Sequence, residues 1–414
     1  MRLKKSLSLF FVLASFAAFS QTRVKKAVFI IADGIPADVI ERLDPPNLKM
    51  IAAQGNFLRA YAGGEKGGYS QTPTISANGY NSLLTSTWVN KHNVWGNDIK
   101  EPDYNYWNIF RIVKQVAPDK KIAIYSSWAD NRTKLVGDGL PQAGNIKVDI
   151  SSDGYELDTV NFKHDKAGTY MHLIDEQVTN SAAKSIKEQA PDLSWVYLEY
   201  TDDMGHRYGD SPTYDDAVNK MDDQVGRIWQ AIQYREKHFN EDWIIFITTD
   251  HGRDEQTGRN HGGQSDRQRS TWMVTNYKQL NAYTRYYKPG IIDITPSIIR
   301  FMGIAIPEAQ LREIDGTSLI GQADVAQPQV IYVQGTLDIT WKALNTKGNV
   351  KIWVSPTNNY KTGGTDEYKL LAQPLLTQEH VLVSVKDMPS AFYKVVIEAP
   401  GNTVNRWVII PAAK

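Results

Sequence analysis

The sequence predicts an α/β protein, a mostly parallel sheet flanked by helices, followed by a small C-terminal all-β, sandwich-like unit. Between residues 25 and 304, apolar runs that leave no polar face alternate with stretches of helical periodicity, the pattern of βα units. Beyond residue 323 the texture changes to short alternating runs separated by Gly, Asn and Pro, the pattern of an antiparallel module. The expected division is a signal peptide at 1–20, a catalytic domain at 21–322 and an all-β domain at 323–414.

The first 20 residues combine a basic head (Arg2, Lys4, Lys5) with an apolar stretch from Leu7 to Phe19 that is too short to span a bilayer. Small residues, Ala18 and Ser20, stand near a plausible cut. This predicts an exported protein, periplasmic or secreted, with no transmembrane segment once the peptide is removed. The buried strands are expected at 25–33, 120–127, 193–200 and 242–250, with helices at 166–189 and 213–238 between them. In the latter, Val218, Met221, Val225, Ile228 and Ile232 recur at spacings of three and four, so one apolar stripe faces the sheet. A further helical run is expected at 293–304. The later runs QVIYVQGTLDITWKAL, NVKIWVSP, HVLVSVKD and FYKVVIEAP supply the β module, whose simplest role is to pack beside the catalytic edge.

Composition narrows the function. With 46 basic and 46 acidic side chains there is no net charge to attract a nucleic-acid polymer. With no cysteine there is neither a disulfide nor a thiolate ligand, so any metal site is built from Asp, Glu, His and hydroxyls.

Ligands and catalytic groups of open α/β sheets collect at strand ends. There the sequence places Asp33, then Asp202 and His206, then Asp250 and His251, with His261 in the loop beyond. Each alone reads equally well as a turn or cap residue. Together, their desolvation on one sheet edge is unfavourable without cations. The set suits two divalent, zinc-like ions about 3.5–4 Å apart, the arrangement that clamps attacking and leaving oxygens in phosphoryl transfer. His92, His164, His172, His238 and His380 sit in no such setting and read as surface or packing residues. Residues 69–88 offer hydroxyls at Thr72, Thr74 and Ser76 before a helical run that begins near Ala77, where the helix dipole favours a phosphate. Taken by itself, Ser76 or Thr74 reads more readily as a helix cap.

In this chain order, Asp33, a hydroxyl before a helix, Asp-x-x-x-His at 202–206, Asp-His at 250–251 and a final His before Gly-Gly resemble the alkaline phosphatase superfamily. Within it, they resemble the type I phosphodiesterase/nucleotide pyrophosphatase branch. The resemblance covers roughly residues 25–310 and implies an alkaline phosphatase-like fold. In that branch the nucleophile precedes a Thr-Gly pair by nine positions and a phosphoryl-binding Asn by twenty-one. Ser76 precedes Thr85 and Asn97 by those spacings, whereas Thr74 fits neither. Two departures stand out: Ser where most relatives carry Thr, and Thr85-Ser86 where they carry Thr-Gly.

The resemblance implies one ion on Asp33, Ser76, Asp250 and His251 and a second on Asp202, His206 and His261. It further implies attack by Ser76 on phosphorus, a phosphoseryl intermediate, and donors to the phosphoryl oxygens from the Asn97 amide and the Ala77 N–H. The substrate implied is a small phosphate ester. Some monoesterases of the superfamily place a Lys-x-Arg pair after the next strand; here Trp128 and Asp130 stand in that place, which points to a diester. Trp128 reads as a substrate-stacking or packing residue, and Arg132 or Lys134 remains a candidate cation for a monoester. A broad-specificity monoesterase is the alternative. A sulfatase is disfavoured because Ser76 lacks a Cys/Ser-x-Pro-x-Arg setting, and a non-catalytic envelope-binding protein because none of the ligands is lost.

Overall fold

A computed structural model describes residues 22–410; the expected signal peptide lies outside the described residues. The central sheet consists of β1 (Val24–Ala32), β2 (Asn56–Tyr61), β3 (Ile122–Ser126), β4 (Ile150–Ser152), β5 (Leu193–Leu198), β6 (Glu241–Thr248) and β7 (Ser270–Thr275). They lie in the order β2-β7-β6-β1-β5-β3-β4. All pairs are parallel except those of β7, which runs antiparallel to both β6 and β2.

Period-two alternation sends β1 side chains to two separate cores. Ala27, Phe29 and Ile31 join one, with Trp195 of β5 and Phe246 of β6; Val28, Ile30 and Ala32 join the other, with Val196 and Ile245. Because both faces are covered, the strands show no polar side, and each buried Ile or Phe contributes roughly 1.5–3 kcal/mol. The first core is closed by helices α1 (Ser76–Thr85), α2 (Ile109–Val116) and α6 (Ile294–Phe301). The second is closed by α3 (Thr169–Glu188), α4 (Tyr200–Tyr208) and α5 (Pro212–His238). Helix α5 begins at Pro212, one residue before the expected start, because the Ser211 side chain accepts the Tyr214 N–H and Pro tolerates the first helical position.

Residues 325–409 form two antiparallel sheets. The first contains β10 (Lys351–Ser355), β11 (Lys369–Ala372), β13 (Phe392–Glu398) and β14 (Thr403–Ile409). The second contains β8 (Val325–Val333), β9 (Thr336–Ala343) and β12 (His380–Ser384). Leu337, Ile339 and Trp341 from one sheet and Ile352, Val354, Val395 and Ile397 from the other share a core, as in a sandwich. Among the described residues no helix is long and apolar enough to cross a membrane.

Candidate active site

Strands β5, β1 and β6 are neighbours and parallel, so their carboxyl ends come out side by side. Asp33 follows β1 directly, Asp202 lies in the first turn of α4 after β5, and Asp250-His251 follow β6. The three strands therefore deliver the three carboxylates to one edge. His206 is one helical turn beyond Asp202, on the same face of α4. His261 comes from the loop after β6 and is fixed there by two contacts: its Nδ1 bonds the Thr74 carbonyl at 2.9 Å, and the next N–H, Gly262, donates to Thr74 Oγ1 at 3.0 Å.

Two clusters result, Asp33–Asp250–His251 and Asp202–His206–His261; in each, three potential ligand atoms lie within 4.8 Å of one another. The first is buried, while the second opens towards solvent through the exposed His206. The His251 and His261 rings stack at 3.8 Å between centroids and join the clusters. In the first cluster, His251 Nε2 is 3.4 Å from Asp33 Oδ1, 3.3 Å from Asp250 Oδ2 and 3.4 Å from Ser76 Oγ. His251 Nδ1 lies 2.9 Å from the Gly252 carbonyl, an interaction that places the proton on Nδ1 and turns the Nε2 lone pair into the site. In the second, His206 Nε2 lies 3.2 Å from Asp202 Oδ2 and 2.9 Å from His261 Nε2.

The electrostatics say what these clusters lack. Burial and the charges of Asp250 and Asp202 push the Asp33 carboxyl well above the usual range. Burial, with the Asp202 charge, pushes Asp250 up to about 7. Burial and the neighbouring His261 hold His251 well below the ordinary imidazole range. Asp202 moves the other way: burial opposes ionisation, but the Arg253 guanidinium and the His206 bond outweigh it. The buried atoms Asp33 Oδ1 and Asp250 Oδ2 have no hydrogen-bond partner. Two unpartnered carboxylate oxygens facing an imidazole lone pair are what a divalent cation satisfies, so the residues present fit a metal.

Ser76 is the first residue of α1, and Ile75, at the cap position, has no side-chain acceptor for the first turn. Thr74 Oγ1, the other cap candidate, donates to the Gly263 carbonyl at 2.8 Å. The Ala77 N–H, expected to face a phosphoryl oxygen, donates to Asn97 Oδ1 at 3.0 Å. That contact brings Asn97 to the mouth of α1 and fixes its amide orientation, leaving Nδ2 as the outward donor.

At Trp128 the structure shows packing, one of the two expected roles, and both cations after β3 are engaged within the chain. Arg132 is bound by carboxylates: its Nε and Nη2 reach Asp153 at 2.6 and 2.9 Å, and its Nη1 reaches Asp138 at 2.7 Å. Lys134 pairs with Asp130 at 2.7 Å. Three of the five guanidinium N–H groups are thus engaged by carboxylates, so the Arg132 charge is already balanced within the chain. Trp128 packs edge-on against Tyr80 with centroids 6.4 Å apart, so its ring supports the wall of the site. The sequence reading passed over Tyr80, Tyr197 and Arg253. Both phenols donate to Asp33 Oδ2, Tyr197 at 2.8 Å, and Arg253 Nη2 donates to Asp202 Oδ1. Arg253 was visible beside the Asp-His pair; Tyr197, in the apolar run of β5, and Tyr80, among the small and amide residues of α1, carried no signal that pointed to a carboxylate.

This sheet, with its Asp/His edge and a hydroxyl at a helix start, has an alkaline phosphatase-like fold. A family model for type I phosphodiesterase / nucleotide pyrophosphatase matches residues 27–266, and the chain belongs to that family. Phosphoric ester hydrolysis follows from the membership. Among solved structures the chain is similar to a 2-O GAG sulfatase, at 10% identity over 88% of this chain and 85% of that one, with a TM-score of 0.53. It is also similar to murine ectonucleotide pyrophosphatase / phosphodiesterase 5, at 11% identity over 68% of this chain and 96% of that one, with a TM-score of 0.48. A third is a protein in the alkaline phosphatase superfamily from Vibrio parahaemolyticus, at 12% identity over 91% and 80% of the two chains, with a TM-score of 0.47.

Proposed function

We propose that this is an exported phosphodiesterase that acts through a phosphoseryl intermediate on Ser76 at a two-metal site, with residues 21–322 as the catalytic unit and 323–414 as an appended module. The observation that carries the reading is the convergence of both Asp/His clusters on the Ser76 side. Asp33, Ser76, Asp250 and His251 would hold one divalent, zinc-like ion, and Asp202, His206 and His261 the other. When bound, such ions supply Lewis acidity that favours the serine alkoxide and neutralises phosphate charge.

The chain itself does the rest. Ser76 Oγ forms the bond to phosphorus while the bond to the leaving alcohol breaks, and water later releases the phosphoryl group from Ser76. Asn97 Nδ2 donates to a phosphoryl oxygen, held at the right angle by the Ala77 N–H. The N-terminus of α1 adds its dipole. A monoester carries one more negative charge than a diester, and both cations after β3, Arg132 and Lys134, are already paired with carboxylates. That supports the diester. Export rests on the basic-then-apolar composition of residues 1–20.

One experiment tests the reading. Protein recovered from the periplasm of a bacterial host, lacking residues 1–20, should hydrolyse bis(p-nitrophenyl) phosphate faster than p-nitrophenyl phosphate. Ser76→Ala should lose diester turnover on the order of a thousandfold or more while keeping its metal, since the other ligands remain. Undiminished turnover in Ser76→Ala removes the nucleophile, and a strong monoester preference removes the diesterase assignment.

A further inference from the structure

Arg253 is fully buried, with no exposed surface at all. A buried guanidinium costs several kcal/mol unless its donors are met, and these are. Its Nε donates to the Gly34 carbonyl at 2.8 Å, Nη1 to the Arg259 carbonyl at 3.1 Å, and Nη2 to the Asp202 carbonyl at 2.9 Å and to Asp202 Oδ1. Arg253 stands two residues after His251, which belongs to the first cluster, and grips Asp202, which belongs to the second. Through Gly34 it also holds the peptide next to Asp33. The Gly34 carbonyl receives a second bond from Tyr214 OH, at 2.7 Å.

Two glycines make room for this side chain. A Cβ on Gly34, whose φ is +68°, would lie 2.7 Å from Arg253 Nη2 and 2.4 Å from Asp202 Oδ1. A Cβ on Gly205, inside α4, would lie 2.1 Å from Arg253 Cζ. Glycine inside a helix costs about 0.5–1 kcal/mol relative to alanine, so position 205 gives up helix stability to admit the guanidinium.

We infer that Arg253 is a positioning residue that fixes the Asp202 carboxylate with Oδ1 withdrawn and Oδ2 turned towards His206, and thereby sets the affinity of the second ion. The inference rests on the two-ion reading above. Two effects of the guanidinium oppose each other. Its charge, taken alone, repels a cation, so removing it should tighten binding. Its fork holds a ligand in place, and loss of such outer contacts weakens metal affinity about 10–100-fold. The bidentate use of Asp202 backbone and side chain, together with the two glycine clearances, makes positioning the larger effect.

The test is zinc binding to metal-stripped full-length protein by equilibrium dialysis and elemental analysis, for wild type, Arg253→Lys, Arg253→Met and Gly205→Ala. Arg253→Lys keeps the charge and loses the fork. Gly205→Ala keeps the arginine and dislodges it while favouring the helix, so it also covers the case in which Arg253→Met fails to fold. Wild type should bind two equivalents. Each variant should hold one as tightly as wild type and bind the other about 10–100-fold more weakly, read on variants that keep a cooperative melting transition. Two equivalents bound with unchanged or higher affinity in Arg253→Lys and Gly205→Ala overturns the role of Arg253 alone. Fewer than two equivalents on wild type overturns the two-ion reading, and this inference with it.

Discussion

At the scale of the residue, Asp33 shows how one carboxylate is divided between two tasks. Its Oδ2 accepts Tyr80 OH and Tyr197 OH, while Oδ1 is left facing His251 Nε2. A carboxylate with one oxygen pinned presents the other in a fixed direction, which is what a ligand atom requires. Hydrogen bonds to a charged group are worth roughly 1.5–3 kcal/mol. Tyr80→Phe should therefore lower kcat/KM on the diester by about tenfold, with Tyr197 still in place. Because the two hydroxyls also meet each other at 2.8 Å, the Tyr80→Phe/Tyr197→Phe double variant should deviate from the product of the singles. Wild-type kinetics and zinc content in both single variants would show that the phenols only pack. The six Asp and His residues were legible because charge at the end of an apolar strand is costly enough to need a reason. The phenols were not legible: Tyr197 sits inside an apolar run and reads as core, and nothing in the Asn-Gly-Tyr-Asn setting of Tyr80 ties its hydroxyl to a carboxylate.

At the scale of the element, α1 and the turn that follows it explain a departure from the family pattern. Ser86 replaces glycine at the end of α1 and adopts the left-handed region at φ +55°. That conformation costs a non-glycine residue roughly 1 kcal/mol, and the Ser86 hydroxyl offsets part of it by donating to the Ile292 carbonyl at 2.7 Å. The same segment buries His92, which the sequence had left among surface or packing residues. Val94 N–H donates to His92 Nδ1 at 3.1 Å, so the proton sits on Nε2, 3.0 Å from Ser82 Oγ. Burial lowers the His92 pKa from 6.5 to about 3. A folded pKa below the unfolded one means that the unfolded chain binds the proton first. His92 thus contributes stability that is present above pH 6.5 and lost as pH falls towards 3, to a limit of about 5 kcal/mol. Melting temperatures of wild type and His92→Gln should converge across that interval, and parallel curves would show that the imidazole is already protonated in the fold. Strand β2 was not legible for a related physical reason. β2 alternates exposed and covered positions at the sheet edge and so lacks the continuous apolar run of a strand buried on both faces.

At the scale of the whole molecule, the change of texture near residue 323 was legible, but the way the β module is fastened was not. The fastening rests on ion pairs between residues far apart in sequence. Lys394 of β13 is buried and donates to Glu313 Oε1 at 2.6 Å and Asp366 Oδ2 at 2.7 Å. Lys91, also buried, reaches Asp315 Oδ1 at 2.5 Å, the Glu313 carbonyl at 2.6 Å and Asn405 Oδ1 at 2.9 Å. Each lysine thus bridges the α/β part and the module. Removing the cation from such a group leaves carboxylates buried without a partner, a change that typically costs about 3–5 kcal/mol, whereas removing charge on both sides costs far less. Lys394→Met should accordingly lower the midpoint of chemical denaturation of the whole chain, in a single transition shared by both parts. Adding Glu313→Gln and Asp366→Asn should recover much of the loss. Were the module docked loosely, Lys394→Met would instead produce a separate early transition, with diester turnover and the main midpoint unchanged. A single lowered transition, rescued by neutralising the two acids, would mean that the module folds as one body with the sheet that carries Ser76.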